Sequence, residues 1–248
     1  MERKPDSDPQ SLRGKVAVVT GATGGVGAAI ALALARKGAT VFAVGRNHEA
    51  LDCTLAAVRR YSDGVACAVD LTVEEQVREL RSSLEAAGRT DILVHSAGAF
   101  QQNVISDARL EDLDRLYAIN VRAPYLLTQQ LLSLLISARG QIVFINSSAG
   151  LTSRRPEIGQ YAATKHALRG IADSLREELN PKGVRVLCVY LGRTATAMQQ
   201  AAMQAEGKEY VPERLLQPED VASTIVHALE LPPTAEVTDI NIRSMYKC

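Results

Sequence analysis

The sequence predicts an α/β fold: one domain built on a doubly wound, seven-stranded parallel sheet with helices on both faces. Short runs rich in β-branched residues alternate with helix-length segments along the chain, which is the pattern of successive β-α-β units. The chain has 248 residues, of which 46% are hydrophobic, enough to bury the core of one large α/β domain. No internal repeat divides it. We therefore expect a single domain over residues 12–248, preceded by a flexible leader at residues 1–11, which are charged and contain proline.

Seven runs have the composition of strands, and helix or turn signals separate them. Gly38 favours the end of the first helix, a capping-box pattern at Thr72 and Glu75 favours the start of the third, and Pro218 favours the start of the last. The predicted strands are residues 16–20, 40–44, 65–69, 92–95, 142–145, 184–190 and 237–242.

Charge and cysteine content exclude several classes of function. The 28 basic and 28 acidic residues leave no net charge, so the chain offers no basic field to nucleic acid or to an anionic membrane surface. Its densest apolar run, residues 28–35, is too short to span a bilayer. The four cysteines and four histidines lack the spacing of a metal site, so we expect no metal, and free thiols in a reducing cytoplasm.

A glycine-rich turn follows the first predicted strand and precedes an alanine-rich helix. Gly21, Gly25 and Gly27 allow a tight exit from the strand and a close approach of the backbone to a pyrophosphate. The following helix N-terminus offers free N–H groups to the phosphates. Any tight turn between a strand and a helix can use glycines, but their position at the start of an α/β chain predicts a dinucleotide site.

The end of the second strand indicates which dinucleotide binds. Gly45 stands where an acidic residue would hold an adenosine ribose diol, and Arg46 suits a 2′-phosphate unless it is simply a solvated loop arginine. We therefore expect NADP(H) to be preferred over NAD(H), with Thr23 and Asn47 as further candidate phosphate contacts. Asp70, at the end of the third strand, either hydrogen-bonds an adenine or caps the following helix.

Tyr161 and Lys165 lie one turn apart on the predicted buried face of a helix. An ammonium on such a face needs a partner or a wet cleft, because the burial of an unpaired charge is costly. At about 4 Å the ammonium would stabilise a phenolate by roughly 4 kcal/mol, which lowers the tyrosine pKa toward neutrality and makes the phenol a general acid or base. Taken alone, the pair also fits a core tyrosine beside a lysine that reaches solvent.

The glycine turn together with Tyr161 and Lys165 resembles the short-chain dehydrogenase/reductase family. The likeness covers residues 13–243 and includes Asp70, Asn120 and Ser148, which precedes Tyr161 by thirteen residues. It implies a Rossmann-type domain that moves a hydride between nicotinamide and a carbonyl or alcohol. By this resemblance Tyr161 is the general acid or base, and Lys165 lowers its pKa and holds the nicotinamide ribose. Ser148 hydrogen-bonds the substrate oxygen, and Asn120 orders a relay water. The residues expected at the cofactor are Gly21, Thr23, Gly25, Val26, Gly27, Arg46, Asn47, Asp70, Leu71, Ala97, Gly98, Tyr161, Lys165, Thr194 and Thr196.

Several positions depart from the family pattern. His95 and Ser96 replace two asparagines, and we expect His95 to be a packed core histidine and not a catalyst. Leu191 replaces a proline, which is expected to loosen the turn before Thr196, the residue in the slot that bonds the nicotinamide carboxamide. Gly24 fills a slot that is basic in many NADP enzymes of the family.

The sequence thus predicts a cytoplasmic NADP(H)-dependent ketone reductase or 3-oxoacyl reductase-like enzyme acting on a small carbonyl or alcohol substrate. The alternatives are a catalytically silent NADP-binding sensor or scaffold and an epimerase or dehydratase, which the glycine spacing disfavours. Arg154 and Arg155 favour an acidic or carrier-tethered substrate unless they are merely solvated. Residues 193–214 are expected to form a mobile lid, and the apolar helix around residues 126–136 predicts a homodimer or homotetramer.

Overall fold

The computed structural model describes residues 10–153 and 155–246 and confirms the predicted α/β fold. The strands of this described part are β1 (Val16–Thr20), β2 (Thr40–Gly45), β3 (Gly64–Ala68), β4 (Ile92–His95), β5 (Gln141–Ser147), β6 (Arg185–Leu191) and β7 (Asp239–Ile242). They pair in parallel in the order β3-β2-β1-β4-β5-β6-β7. Each predicted strand overlaps an observed one, and its ends differ by at most two residues.

Helices connect the strands and cover both faces of the sheet. They are α1 (Gly25–Arg36), α2 (His48–Val58), α3 (Glu74–Ala86), α4 (Leu110–Tyr117), α5 (Ala123–Ala138), α6 (Gly159–Leu179), α7 (Ala197–Ala205) and α8 (Pro218–Leu229). A π-helical turn, Ala118–Arg122, joins α4 to α5. None of the described helices is long and apolar enough to cross a membrane.

The core consists of two apolar layers, one on each side of the sheet. On one side α1 and α8 bury residues such as Ile30 and Ile225, and on the other α5 and α6 bury residues such as Leu127 and Leu168. Because both faces are covered, a central strand such as β1 is an uninterrupted buried run and not an alternating one.

The sheet order places a crevice at the carboxyl ends of β1 and β4. The chain builds β1, β2 and β3 outward and then returns to add β4 on the other side of β1, and ligands of open α/β sheets bind where the order reverses in this way. The hydroxyl of Thr20, the last residue of β1, donates to Val94 O at 3.2 Å and accepts from the N–H groups of Ser96 and Ala97 at 3.0 and 3.1 Å. This side chain fixes the spacing between the two walls of the crevice.

The capping-box prediction for α3 is wrong. Val73 precedes the helix without a side-chain cap, and the hydroxyl and N–H of Thr72 both donate to the Asp70 carboxylate, at 2.7 and 2.9 Å. The short side chain of Asp70 offers the backbone a local turn that replaces the cap.

The predicted leader lies largely outside the described residues, which begin at residue 10. Its last residue, Ser11, donates its hydroxyl to Glu230, and the next, Leu12, is buried against the core.

Candidate active site

A cavity of about 1230 Å³ opens at the carboxyl edge of the sheet and is bordered by α7. Most residues expected at the cofactor or in catalysis line it: Gly21, Thr23, Gly25, Val26, Gly27, Ala97, Gly98, Ser148, Tyr161, Lys165, Thr194 and Thr196. Arg46, Asn47, Asp70, Leu71 and Asn120 are not among its lining residues.

The glycine-rich turn has no room for side chains at two of its positions. Gly21 has a φ of +66°, and a Cβ there would lie 2.8 Å from the backbone nitrogen of Ala97. A Cβ on Gly27 would lie 2.2 Å from the carbonyl oxygen of Gly21. Gly24 precedes α1 without a side-chain cap, so the first N–H groups of the helix can donate hydrogen bonds to a ligand. The cradle fits the pyrophosphate of a dinucleotide, which a helix N-terminus favours.

The Ser147 hydroxyl, at the end of β5, lies beside the phenol of Tyr161, in the first turn of α6, close enough to favour the ionised phenol. Ser148, which was expected to lie beside the tyrosine, is exposed and begins a 3₁₀ turn. Ser147 still has extended backbone, with φ −134° and ψ 154°, and successive side chains of extended backbone point to opposite sides. The expected serine is therefore one residue away from the one that the structure pairs with Tyr161.

Burial raises the pKa of Tyr161, and the hydrogen bond with Ser147 opposes this only in part. The expectation that Lys165 draws this pKa toward neutrality does not hold in the structure. The Lys165 ammonium lies 5.7 Å from the centroid of the Tyr161 ring and donates to the carbonyl oxygen of Ile145 at 3.2 Å. Phe100 packs edge-on against the ring, with centroids 4.9 Å apart, and helps to keep it dry.

Lys165 is a buried cation at the wall of the cavity. The residue is 6% exposed, and burial lowers its pKa from 10.5 to about 8. Gly98 leaves space beside it, since a Cβ at that position would lie 3.9 Å from the ammonium nitrogen. An ammonium has three donors, so beside its hydrogen bond to Ile145 O it has others for the hydroxyls of a ribose.

Asn120 lies in the π-helical turn and is buried. Its Oδ1 accepts from the N–H of Ala99 at 2.8 Å, and its Nδ2 donates to Ala99 O at 3.0 Å and to the Thr164 hydroxyl at 3.1 Å. Both amide protons are therefore used on protein groups, and the side chain braces the loop after β4 against α6. A π-helical turn at such a position is typical of functional sites.

The side chains expected at the adenosine end lie at the carboxyl ends of β2 and β3. Arg46 is exposed. The pKa of Asp70 is lowered, mainly by the hydrogen bonds from Thr72 and to a smaller extent by the positive charge of Arg46 nearby. Asn47 caps α2, because its Oδ1 accepts from the N–H of Ala50 at 3.0 Å. Leu71 is buried.

Thr23 leaves no room for a side chain at Gly45. A Cβ on Gly45 would lie 2.5 Å from Cγ2 of Thr23, which lines the cavity. Thr23 therefore occupies the place where an acidic side chain at position 45 would begin.

His95 is a packed core histidine, as expected. It is buried, its Nε2 lies 2.8 Å from the Thr128 hydroxyl, and its ring stacks on Phe144 at 4.9 Å. Burial lowers its pKa to about 3, so the ring is neutral at physiological pH.

The segment 193–214 does border the cavity, through α7. Thr196 caps this helix by accepting from Gln199 N–H at 3.2 Å, and its methyl group would lie 3.0 Å from a Cβ on Gly25. Thr194 is buried and donates to Gly192 O. That the segment moves stays a prediction. Just after α7, Glu206 pairs with cations from other loops, a contact that could not be expected from the sequence because its partners are far apart along the chain.

The fold and the cavity define an oxidoreductase of the Rossmann type, with a dinucleotide cradle and a tyrosine–lysine pair on one sheet edge. A family model for short chain dehydrogenases matches residues 15–207, and the chain belongs to this family of NAD(P)-dependent enzymes.

Proteins of similar sequence include reductases and other oxidoreductases. An uncharacterized oxidoreductase of Staphylococcus epidermidis is 31% identical over 234 residues, which make up 94% of this chain and 98% of the relative. A glycine betaine reductase of Emericella nidulans is 34% identical over 238 residues, or 93% of this chain, but the match spans only 19% of that protein.

Solved structures show the same fold. A metagenomic short-chain oxidoreductase in complex with NADP has a TM-score of 0.80 at 30% identity and covers 94% of this chain and 98% of its own. An alcohol dehydrogenase from Thermococcus sibiricus, complexed with 5-hydroxy-NADP, has a TM-score of 0.84 at 26% identity, with the same coverage of 94% and 98%.

Proposed function

We propose that this chain is an NADP(H)-dependent oxidoreductase that transfers a hydride between nicotinamide and a carbonyl or alcohol substrate. The observation that carries the proposal is the pairing of the Tyr161 and Ser147 hydroxyls in the cavity beside the buried ammonium of Lys165. Two hydroxyl donors at one point stabilise the negative charge that develops on a carbonyl oxygen as hydride reaches the carbon.

Each polar group of the site then has a chemical role. Nicotinamide, when bound, supplies the hydride for reduction or accepts it for oxidation. Tyr161 gives its phenolic proton to the developing alkoxide, and Ser147 donates a second hydrogen bond to the same oxygen. Lys165 holds the nicotinamide ribose and stabilises the phenolate that remains. Asn120 keeps the Ala99 backbone and α6 at a fixed distance through its three hydrogen bonds.

The protonation state of Tyr161 suits the acid of a carbonyl reduction. Its pKa is raised above its usual value near 10, so the phenol is protonated at neutral pH. A protonated phenol is ready to act as the acid of a reduction, whereas alcohol oxidation needs the phenolate as base.

The preference for NADP(H) over NAD(H) rests on the end of β2. Gly45 presents no carboxylate to a ribose diol, and the exposed Arg46 is free to form a charge-assisted pair with a 2′-phosphate. Thr23 fills the space of a side chain at position 45. Two similar solved structures carry NADP or its 5-hydroxy derivative, which supports the same choice here.

We further propose that residues 12–248 act as one binding and catalytic domain in the cytoplasm and that copies of the chain associate. The described cysteines Cys53, Cys67 and Cys188 are unpaired, which suits a reducing compartment. Tyr125 is 55% exposed, and Leu132 and Ile136, at helical spacing from it on α5, are only partly buried. Such an apolar stripe favours a homodimer or homotetramer.

The function is tested by NADPH consumption over ketones, 3-oxoacyl thioesters and sugar carbonyls, repeated with NADH. For a substrate found in this way, Tyr161→Phe should lower kcat by at least ~10³ and leave the NADPH Kd nearly unchanged, because proton donation and oxyanion stabilisation are lost together. A purified variant that keeps more than about a tenth of the rate would remove Tyr161 from the role of acid.

The two neighbouring serines provide a matched pair. Ser147→Ala should cost about 10²- to 10³-fold in kcat, the usual loss for one oxyanion donor, while Ser148→Ala stays within about tenfold of the original enzyme. An equal or larger loss in Ser148→Ala would return the substrate contact to that residue.

A further inference from the structure

A cluster of ion pairs lies on the wall of the cavity, at the end of α7. The Glu206 carboxylate accepts from Nη2 of Arg155 at 2.8 Å and from Nη2 of Arg193 at 2.7 Å, and Lys208 Nζ lies 3.0 Å from it. The Glu206 side chain is only 9% exposed. Burial alone would raise the pKa of Glu206, but the hydrogen bonds from Arg193 and Lys208 hold this pKa at about 2.

Both arginines keep donors that Glu206 does not use. Arg155 uses Nη2 for its hydrogen bonds to Gln102 and Glu206, its Nε lies 3.9 Å from Glu157, and its side chain is 37% exposed. Arg193 donates to Glu206 through Nη2, while its Nη1 is buried and has no hydrogen-bond partner among the described residues. A guanidinium has five donors, so each of the two can bind a second acceptor.

The cavity also carries an excess of positive charge. Among its described lining residues the cations are Arg155, Lys165, Arg193 and Lys208, and the anions are Glu157 and Glu206. Four positive and two negative charges leave an excess of two. Lys165 belongs to the catalytic centre, so the remainder of the excess lies with the cluster at the end of α7.

We propose that Arg155 and Arg193 form an anion subsite, oriented by Glu206, and that the substrate carries a carboxylate in addition to the reacting carbonyl. The inference rests on the proposed oxidoreductase function and names its substrate class, an oxo acid or the corresponding hydroxy acid. Arg155 offers accessible donors, and Arg193 offers the buried Nη1 that no described residue uses. The Glu206 carboxylate already shows that the geometry accepts such a group.

The test uses pairs of probes that differ only in charge. NADPH-dependent reduction is measured at neutral pH for 2-, 3-, 4- and 5-oxo acids, each beside its methyl ester, so that the spacing between carbonyl and carboxylate is scanned. We expect kcat/KM for at least one acid to exceed that of its ester about tenfold or more. Arg155→Met and Arg193→Met should each lower the value for that acid about ten- to a hundredfold and affect the ester much less.

Two further variants keep the result interpretable. Arg169→Met removes the same charge from an exposed ion pair with Asp173 on α6 and should leave the ratio of acid to ester unchanged. Arg193→Lys retains the charge at the buried position and should keep part of the acid preference if Arg193→Met proves unstable in thermal melts.

Three results would overturn the subsite. The acid and its ester are used equally well by the original enzyme; the arginine variants lower both by the same factor; or Arg193→Met weakens NADPH binding and leaves the ratio unmoved, which assigns this arginine to the cofactor. If no carbonyl is reduced, the proposed function fails separately. Calorimetry of the NADPH-loaded protein with the same acids then decides: binding that Arg155→Met abolishes supports the subsite, and the absence of binding refutes it.

Discussion

Replacing Lys165 with methionine should disable the enzyme and stabilise the protein. Lys165 is 6% exposed, and its ammonium donates a hydrogen bond to Ile145 O at 3.2 Å. Burial lowers its pKa from 10.5 to about 8, which means that the folded state holds the charge at a cost. Methionine has a similar length and no charge, so it removes this cost while filling the same space.

The size of the effect follows from the change in pKa. A fall from 10.5 to about 8 corresponds to roughly 3 kcal/mol of free energy of unfolding, at ~1.4 kcal/mol for each pKa unit. Loss of the hydrogen bond to Ile145 O offsets about 1 kcal/mol. We expect Lys165→Met to raise the free energy of unfolding by about 1 to 3 kcal/mol at neutral pH.

The gain should depend on pH in a defined direction. Below about pH 8 the lysine is protonated in both the folded and unfolded states, so the full cost is present. Between about pH 8 and pH 10.5 the folded state has lost the proton while the unfolded state still holds it, and the cost fades as the pH rises. The difference in free energy of unfolding between the methionine variant and the original protein should therefore shrink as the pH rises from about 8 to about 10.5.

Urea unfolding followed by circular dichroism, at one protein concentration and at about pH 7 and about pH 10, measures both effects. Lys182→Met serves as the control, since Lys182 is exposed and pairs with Glu178 at 3.6 Å, and its effect should stay within about 0.5 kcal/mol. The reasoning is refuted if Lys165→Met destabilises the protein at neutral pH or if its effect is the same at both pH values. The same variant should lose both kcat and NADPH affinity, and an unchanged NADPH Kd would refute the ribose contact.

Two further predictions concern the cofactor and the assembly. The original enzyme should prefer NADPH over NADH by about ten- to a hundredfold in kcat/KM. Gly45→Asp with Arg46→Ala should invert this preference only when Thr23→Ser also removes the methyl group that would lie 2.5 Å from the new Cβ. An unchanged ratio in Arg46→Ala alone would place the phosphate elsewhere. Light scattering should give at least twice the mass of one chain, and Tyr125→Glu should reduce it by charging the exposed stripe on α5; a single-chain mass for the original protein would exclude association.

The strands could be predicted from the sequence because each is marked by a local run of apolar and β-branched residues. A strand that is buried on both faces, such as β1, is apolar along almost its whole length. The glycine turn was predictable for a similar reason. A Cβ on Gly27 would lie 2.2 Å from the Gly21 carbonyl oxygen, and a Cβ on Gly21 would lie 2.8 Å from the Ala97 nitrogen, so neither position has room for a side chain.

The roles of the two serines could not be assigned from spacing. Ser147 and Ser148 are chemically identical neighbours, and what separates them is where β5 stops being extended. Counting residues back from Tyr161 is sensitive to a single inserted residue in the intervening loop. Only the three-dimensional path of the chain shows which hydroxyl reaches the phenol.

The pKa of Tyr161 could not be predicted for a related reason. The helical spacing of Tyr161 and Lys165 fixes that they are neighbours, but not which group the ammonium bonds. In the structure the ammonium donates to the carbonyl oxygen of Ile145, and burial of the phenol outweighs the effect of the Ser147 hydroxyl on its pKa. The direction of the shift therefore comes from tertiary packing, and it favours a proton donor over a base.

Three departures from ordinary packing lie at the edge of the sheet that carries the cavity. Lys165 is a buried charge, Arg193 has a buried nitrogen with no acceptor among the described residues, and Gly21 adopts a left-handed backbone against Ala97. Local conflicts of this kind are expected where function demands them. Arg155, Arg193 and Glu206 reach this edge from separate parts of the chain, so the sequence could suggest an acidic substrate through Arg155 but could not show the three-residue cluster on which the proposed anion subsite rests.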